Sequence, residues 1–310
     1  MYNIGIDVGG MSIKAGIVDN GIITHKLSKE TSSNGGADRL AKDIIDLVNE
    51  ILEASGIDIK NINTIGIGFP GVVAKDNAVT CVNLGIHNEL ITPKIEEVFK
   101  NVNVKVGNDA NVAAFAEYVY GSMKGYESGV MITLGTGIGG GIVINNKLIT
   151  GSNGIGAEIG HMMIASNYFD CNCGNNGCFE TFCSATSIIK YTQKLISEGR
   201  ESIILKEVNN DINNISAKAV FDAYKENDLV GVEVINRFKK YLAIGIANIV
   251  NFIDPDVISI GGGVSNASDI ILDGLDDMVK KHIPFDGAGI GDIVIAKLKN
   301  DAGILGASAL

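Results

Sequence analysis

GAEIGHMMIASNYFDCNCGNNGCFETFCS, residues Gly156–Ser184, holds four of the five cysteines of the chain, Cys171, Cys173, Cys178 and Cys183, with His161 just upstream. The order His-x9-Cys-x-Cys-x4-Cys offers one imidazole and three thiolates, the donor set of a closed tetrahedral structural zinc site. Gly174 and Gly177 suit a tight knuckle, because a loop folding around an ion needs backbone angles that glycine reaches without strain. Free buried thiols are the competing reading, but Cys171, Cys173 and Cys178 stand among Asn and Gly in a segment too polar for a core. Disulfides are disfavoured, since the N-terminus MYNIGIDVGG reads as a strand and not as a secretory signal. The expected metal ligands are His161, Cys171, Cys173 and Cys178, with Cys183 packing against the knuckle.

Working outward, 310 residues suffice for two domains, each with its own core. Apolar residues at 46% and charged residues at 20% describe a globular chain. The net charge of −11 argues against nucleic acid as a partner, because no basic stripe exists to neutralise phosphates. The apolar stretch YLAIGIANIVNFI is interrupted by Asn248 and Asn251 and is too short to span a bilayer. The expectation is a soluble cytoplasmic protein with no membrane partner.

Residues 2–24 read as strand, glycine turn, strand, a second turn at Asp19-Asn20-Gly21, and a third strand. Backbone N–H groups at the tip, Asp7-Val8-Gly9-Gly10-Met11-Ser12, can form an anion-binding nest, with Asp7 placed to hold a metal ion. The same pattern recurs without a gap further along: Gly9 falls on Gly135, Asp7 on Thr133 and Asn20 on Asn146. A second glycine loop therefore runs Gly135-Thr136-Gly137-Ile138-Gly139-Gly140-Gly141. Two such units indicate an internally duplicated α/β fold, and two facing glycine tips with a cleft between them suit a nucleoside triphosphate.

Between the repeats lie a loop at Thr31–Gly36, a helix over residues 38–55 closed by Gly56, and a strand over 64–68 entering Pro70-Gly71. Thr92-Pro93 is expected to open a helix with Thr92 as its cap. A strand over 102–106 then leads into Gly107-Asn108-Asp109-Ala110-Asn111 and a helix. Beyond the knuckle, a helix is expected from Ser184 to Leu195, then solvated faces, a helix over Tyr241–Ile253, and a strand over 257–260 meeting Gly261-Gly262-Gly263.

Glu158-Ile-Gly-His161 followed by Cys171-Asn-Cys-Gly-Asn-Asn-Gly-Cys-Phe-Glu180 resembles the ROK family of bacterial sugar kinases and sugar-responsive repressors. Further motifs extend the resemblance over nearly the whole chain: Gly66-Ile-Gly68-Phe-Pro-Gly71, Asn83-Leu-Gly85, Asn108-Asp-Ala-Asn111 and a closing helix in AKLKNDAGILGASAL. The resemblance implies an α/β actin-like ATPase (ribonuclease H-like) fold of two lobes with a central cleft. The N-terminal lobe would be residues 1–112 joined by the C-terminal helix 298–310, and the C-terminal lobe, with the knuckle, residues 113–297.

It further implies an ATP-dependent kinase acting on the 6-hydroxyl of a hexose, glucose first, with mannose, fructose, allose or an N-acetylated hexosamine as alternatives. Asp109 matches the general base. Gly68, Asn83, Asn108, Glu158, His161 and Glu180 match sugar contacts. Asp7, Gly9, Gly10, Ser12, Lys14, Gly135, Thr136, Gly137, Gly261, Gly262 and Gly263 fall on the nucleotide side, with ATP and Mg2+ as cofactors and structural Zn2+ in the knuckle. Trp follows the glycine at position 85 in many ROK glucokinases, and Ile86 stands here. A homodimer is expected. A repressor of the family adds a DNA-binding segment before the first strand, and a sensor without catalysis would lack Asp109.

Overall fold

A computed structural model of the chain describes residues 1–32, 35–285 and 287–310. Ser33 and Asn34, inside the loop expected at Thr31–Gly36, lie outside the described residues. Strands β1 (Tyr2–Val8), β2 (Ser12–Asp19) and β3 (Ile22–Glu30) form an antiparallel meander, and helix α1 (Gly36–Ser55) follows. Strand β4 (Ile62–Phe69) returns parallel to β1, placing Ile4 beside Ile65 and Ile6 beside Ile67. A small sheet of β5 (Val72–Val73), β6 (Ala78–Cys81) and β7 (Ile86–Leu90) precedes helix α2 (Thr92–Val98). Strand β8 (Asn103–Asn108) then runs into helix α3 (Asp109–Val119). The first large sheet has the order β3-β2-β1-β4-β8. Strand β4, between β1 and β8, is buried almost without interruption, as a strand covered on both faces must be.

Strands β9 (Ser128–Leu134), β10 (Ile138–Ile144) and β11 (Lys147–Leu148) repeat the meander. After the knuckle come helices α4 (Glu180–Cys183), α5 (Ala185–Ser197), α6 (Ile204–Glu207), α7 (Ala217–Lys225) and α8 (Leu229–Ile253). Strand β12 (Val257–Gly261), helices α9 (Ser268–Leu272) and α10 (Leu275–Lys280), strand β13 (Asp292–Ile295) and helix α11 (Ala302–Ser308) complete the chain. The second large sheet has the order β11-β10-β9-β12-β13, matching the strand order of the first, with β10–β11 antiparallel and β12–β13 parallel.

The duplication is one residue out of step at its second turn. In the first repeat the left-handed pair is Asn20 (φ 48°) and Gly21 (φ 81°); in the second repeat it is Asn145 (φ 50°) and Asn146 (φ 62°). Asn20 therefore takes the place of Asn145, not of Asn146, because β2 has eight residues and β10 seven.

The chain divides into two units. The first is Met1–Val130 with Gly141–Ala157 and Lys297–Leu310; the second is Met131–Gly140 with Glu158–Ala296. The first unit thus extends past residue 112, because α3 packs with α11 against the first sheet. Three other local expectations change. Thr92 is buried inside α2, whose cap position is Ile91, so its hydroxyl caps nothing. Helix α8 starts at Leu229, twelve residues before Tyr241, because the Asp228 carboxylate caps the N–H groups of Val230 and Gly231. The segment between α5 and Tyr241 is not merely solvated, since Val220, Phe221, Val234, Ile235 and Phe238 are core residues. No helix among the described residues is long and apolar enough to cross a membrane.

In the first unit, Gly16, Gly5 and Gly66 pair side by side across β2, β1 and β4 and form a strip without side chains. Helix α11 lies on it. A Cβ on Gly5 would sit 1.8 Å from the Ile304 carbonyl oxygen, and one on Gly66 would sit 1.7 Å from that of Ala307. Gly66 is therefore committed to helix docking, a close backbone approach that only glycine permits. Gly66→Ala is expected to cost about 2 kcal/mol or more by overpacking. Thermal unfolding would register a lowered Tm, and an unchanged Tm would contradict the contact.

Candidate functional site

In the first unit the parallel strands end level with one another. Asp7 of β1 pairs with Gly68 of β4, which pairs with Gly107 of β8, one residue before Asn108. Ligands of α/β sheets collect at such carboxyl ends. Asn108 caps α3: its Oδ1 accepts the Asn111 N–H at 3.0 Å. Its Nδ2 donates to the Gly71 carbonyl at 2.8 Å and to Asp109 Oδ1 at 3.1 Å. That Oδ1 also accepts the Ala110 N–H at 2.8 Å, so the Asp109 carboxylate is oriented by two donors at the helix start. The Pro70-Gly71 turn is pinned to the same loop, with Gly71 at φ 101°.

Asp7 lies against Gly303 of α11, where a Cβ would come within 2.6 Å of its carboxyl carbon. Lys14 Nζ stands 3.5 Å from Asp7 Oδ2 on the adjoining strand. The first tip is braced by Thr31, just past β3, its hydroxyl donating to the Gly9 carbonyl at 2.6 Å and its N–H to the Met11 carbonyl at 3.0 Å. The nest expected at this tip is not formed. The Gly9 N–H is spent on the Ser12 carbonyl, and neither Gly9 nor Gly10 takes the left-handed backbone that a nest alternates with. A Cβ on Gly10 would meet nothing, so the tip is open to close approach. Asn83 sits exposed on the short turn Val82–Leu84.

A cavity of about 180 Å³ in this unit is lined by Lys75, Asn77, Asn108, Asn111 and Thr150 among others. Asn111 was not singled out from the sequence; it is buried, and its Oδ1 accepts no hydrogen bond.

In the second unit the knuckle brings the four expected donors together. The ligand atoms of His161, Cys171, Cys173 and Cys178 all lie within 4.8 Å of one another. Cys173 and Cys178 sulfurs are 3.6 Å apart, and Cys171 Sγ is 3.8 Å from His161 Nδ1. A tetrahedral ion with bonds of about 2.3 Å to sulfur requires edges of roughly 3.8 Å, so the residues present fit such an ion. The other ring nitrogen, Nε2, faces Glu158 Oε2 at 4.0 Å. Gly174 and Gly177 both take φ 90°, and a Cβ on Gly177 would strike the Ala165 carbonyl.

Burial pushes the Cys178 thiol up to about 12 and raises that of Cys171, while the Asn175 backbone N–H and then Cys171 lower Cys173 to about 7. Cys183 stands apart, fully buried, its thiol directed at the Phe238 carbonyl of α8 and raised well above the ordinary range by burial.

The second glycine loop is held by the segment leaving the knuckle. Glu180 Oε2 accepts the Ile138 N–H at 2.9 Å and fills the space a Cβ on Gly137 would need. The Ala185 N–H donates to the Gly135 carbonyl at 2.8 Å, and the Thr186 hydroxyl to that of Thr136 at 2.7 Å. Gly262, at φ 83°, presses on the Leu134 backbone at the base of this loop, so Gly261–Gly263 and Gly135–Gly137 share one region. A cavity of about 250 Å³ opens beside Gly137, lined also by Thr136, Glu180, Thr186, Ser187 and Lys190. Thr186, Ser187 and Lys190 were not singled out from the sequence, although Ser184-Ala-Thr-Ser187 carries a helix-cap pattern that places them.

Two sheets of one strand plan, each with a glycine tip at its first hairpin, define an α/β protein of the actin-like ATPase fold. The ROK family profile matches residues 3–310, and the chain belongs to that family. It is 32% identical to a glucokinase of Thermotoga maritima over 99% of this chain and 96% of that one. It is 35% identical to a glucokinase of Halalkalibacterium halodurans over 98% and 93%. A ROK family glucokinase from Streptomyces griseus, solved with glucose and AMPPNP, superposes with a TM-score of 0.79 at 29% identity, over 100% of this chain and 98% of that one.

Metal binding must displace the protons carried by Cys171 and Cys178, whose raised thiols are protonated near neutrality. Zn2+ affinity of metal-stripped protein is therefore expected to fall at least about tenfold per unit of acidification between about pH 8 and about pH 6. A flat profile in a competitive chelator titration would remove the thiols from the ligand set.

Proposed function

We propose that this protein is an ATP-dependent hexose kinase of the ROK family that phosphorylates the 6-hydroxyl of glucose. The observation that carries the reading is the Asp109 carboxylate, oriented by Asn108 and the Ala110 N–H at the carboxyl edge of the first sheet, level with Asp7. The glucokinase relatives, and the fold shared with a glucokinase bound to glucose and AMPPNP, support it.

In-line phosphoryl transfer asks for positioning, charge neutralisation and a carboxylate to take the proton of the attacking hydroxyl. Asp109 Oδ1 is occupied by two donors, and the carboxylate takes the 6-hydroxyl proton as the oxygen attacks the γ-phosphorus. Asn108 holds the base and the Gly71 turn in fixed relation. Glu158, His161 and Glu180 accept from or donate to sugar hydroxyls, with Gly68 and Asn83 on the same substrate.

The glycine tips at Gly9–Ser12 and Gly135–Gly137, with Lys14 and Gly261–Gly263, serve the nucleotide. Asp7 would hold Mg2+, which supplies charge neutralisation to the phosphates. His161, Cys171, Cys173 and Cys178 would hold Zn2+, which would supply order to the sugar-binding residues around the knuckle. We further propose that the enzyme acts in the cytoplasm as a homodimer.

Asp109→Asn is expected to lower kcat by at least about 10²-fold, the scale of general-base catalysis, while sugar binding measured by calorimetry stays close to wild type. Retained turnover would remove Asp109 from the base role.

A further inference from the structure

The glycine loop on the nucleotide side is gripped from one side by a single short segment, and that segment begins at a metal ligand. Two residues after Cys178, Glu180 takes the Ile138 N–H at 2.9 Å. Its other oxygen lies 3.7 Å from Cys171 Sγ, a second metal donor. Farther on, Ala185 and Thr186 take the carbonyls of Gly135 and Thr136. Gly137 has no room for a side chain because the Glu180 carboxylate fills that volume, an ideal Cβ lying 2.2 Å from Oε2.

The knuckle itself is rigidly mounted. Phe179 is fully buried against Gly245 of α8. The Arg237 guanidinium of α8 lies over the rings of Phe182, Tyr191 and Tyr241 and donates to Asn167 Oδ1 at 3.0 Å. Asn167 in turn donates to the Thr181 carbonyl at 2.8 Å. Glu180 is thus fixed from both flanks before any sugar arrives.

We propose that Glu180 is a positioning residue for the nucleotide: through its bond to the Ile138 N–H it holds loop Gly135–Ile138 in the conformation that receives the phosphates, independently of sugar. The inference rests on the reading of that loop as nucleotide-binding. It assigns Glu180 a second role beside its sugar contact, and makes the metal knuckle a support of the nucleotide side as well as of the sugar side. Because loop and knuckle share this carboxylate, a change in either is felt by the other.

The test is calorimetric binding of Mg2+–AMPPNP to zinc-replete protein with no sugar present, for wild type, Glu180→Ala, Glu180→Gln and Thr186→Val. Zinc content and Tm are measured for each. Glu180→Ala should weaken nucleotide binding about three- to ten-fold, the worth of one lost loop hydrogen bond. Glu180→Gln should bind at least as tightly as wild type, because its amide oxygen accepts the same N–H while its NH2 can face the Cys171 sulfur. Thr186→Val, outside the knuckle, should weaken binding in the same direction and guards against a Glu180→Ala protein that fails to fold. Unchanged or tighter nucleotide binding in folded Glu180→Ala, or, where that protein fails to fold, in Thr186→Val, would overturn the proposal and leave Glu180 with sugar alone. Wild-type protein that binds no nucleotide, with or without sugar, would overturn the kinase reading and this inference with it.

Discussion

Helix α11 lies directly on the backbone of the first sheet, and the placement of Asp7 and Asp109 depends on this contact. The row Gly16–Gly5–Gly66 lets the carbonyls of Ile304 and Ala307 approach to distances no side chain would allow. At the same crossing Gly303 makes room for Asp7, and Gly306 fits against the Val112 carbonyl of α3. The helix that begins with Asp109 and the strand that carries Asp7 are therefore set against one body. Near the far end of α3 the buried Glu117 carboxylate takes the Leu298 N–H at 2.7 Å, together with the N–H and hydroxyl of Ser122, and ties the approach to α11 to that helix. The last residues of the chain thus set the geometry at its first strand.

The second unit solves the same problem with different means. The second sheet follows the same strand order, but the glycine loop at its first hairpin is steadied by the knuckle and the start of α5, where the first tip is steadied by Thr31. A cluster of one imidazole and three thiols fits a small tetrahedral ion, and such an ion would stand in for a hydrophobic core in a segment rich in Asn and Gly. Asn176 adds to the loop's order, its amide donating to the Asn167 carbonyl and to Asp170.

Much of this is legible in the sequence because its causes are local. Cysteine spacing locates the metal donors, and the repeated strand–glycine–strand pattern foretells two sheets of one topology. Asn108 before a helix is readable as a cap. What is not legible depends on contacts far apart in the chain. Nothing near Gly66 says that the Ala307 carbonyl occupies the space of its missing side chain. The nest expected at Gly9 fails because one N–H is taken by Ser12, which composition cannot reveal. Glu180 reads as a sugar ligand from its motif, while its bond to Ile138 appears only when the knuckle is folded against the loop. The start of α8 is hidden because its Asp228 cap lies in a stretch whose charge suggests only solvent.

The account stands most directly on sugar-dependent release of ADP from ATP and Mg2+, measured across a panel of hexoses that includes N-acetylmannosamine and N-acetylglucosamine. It predicts turnover that requires sugar, with glucose preferred and the phosphate on the 6-hydroxyl. Protein that binds sugar yet releases no ADP with any of them would contradict it and make the molecule a sensor.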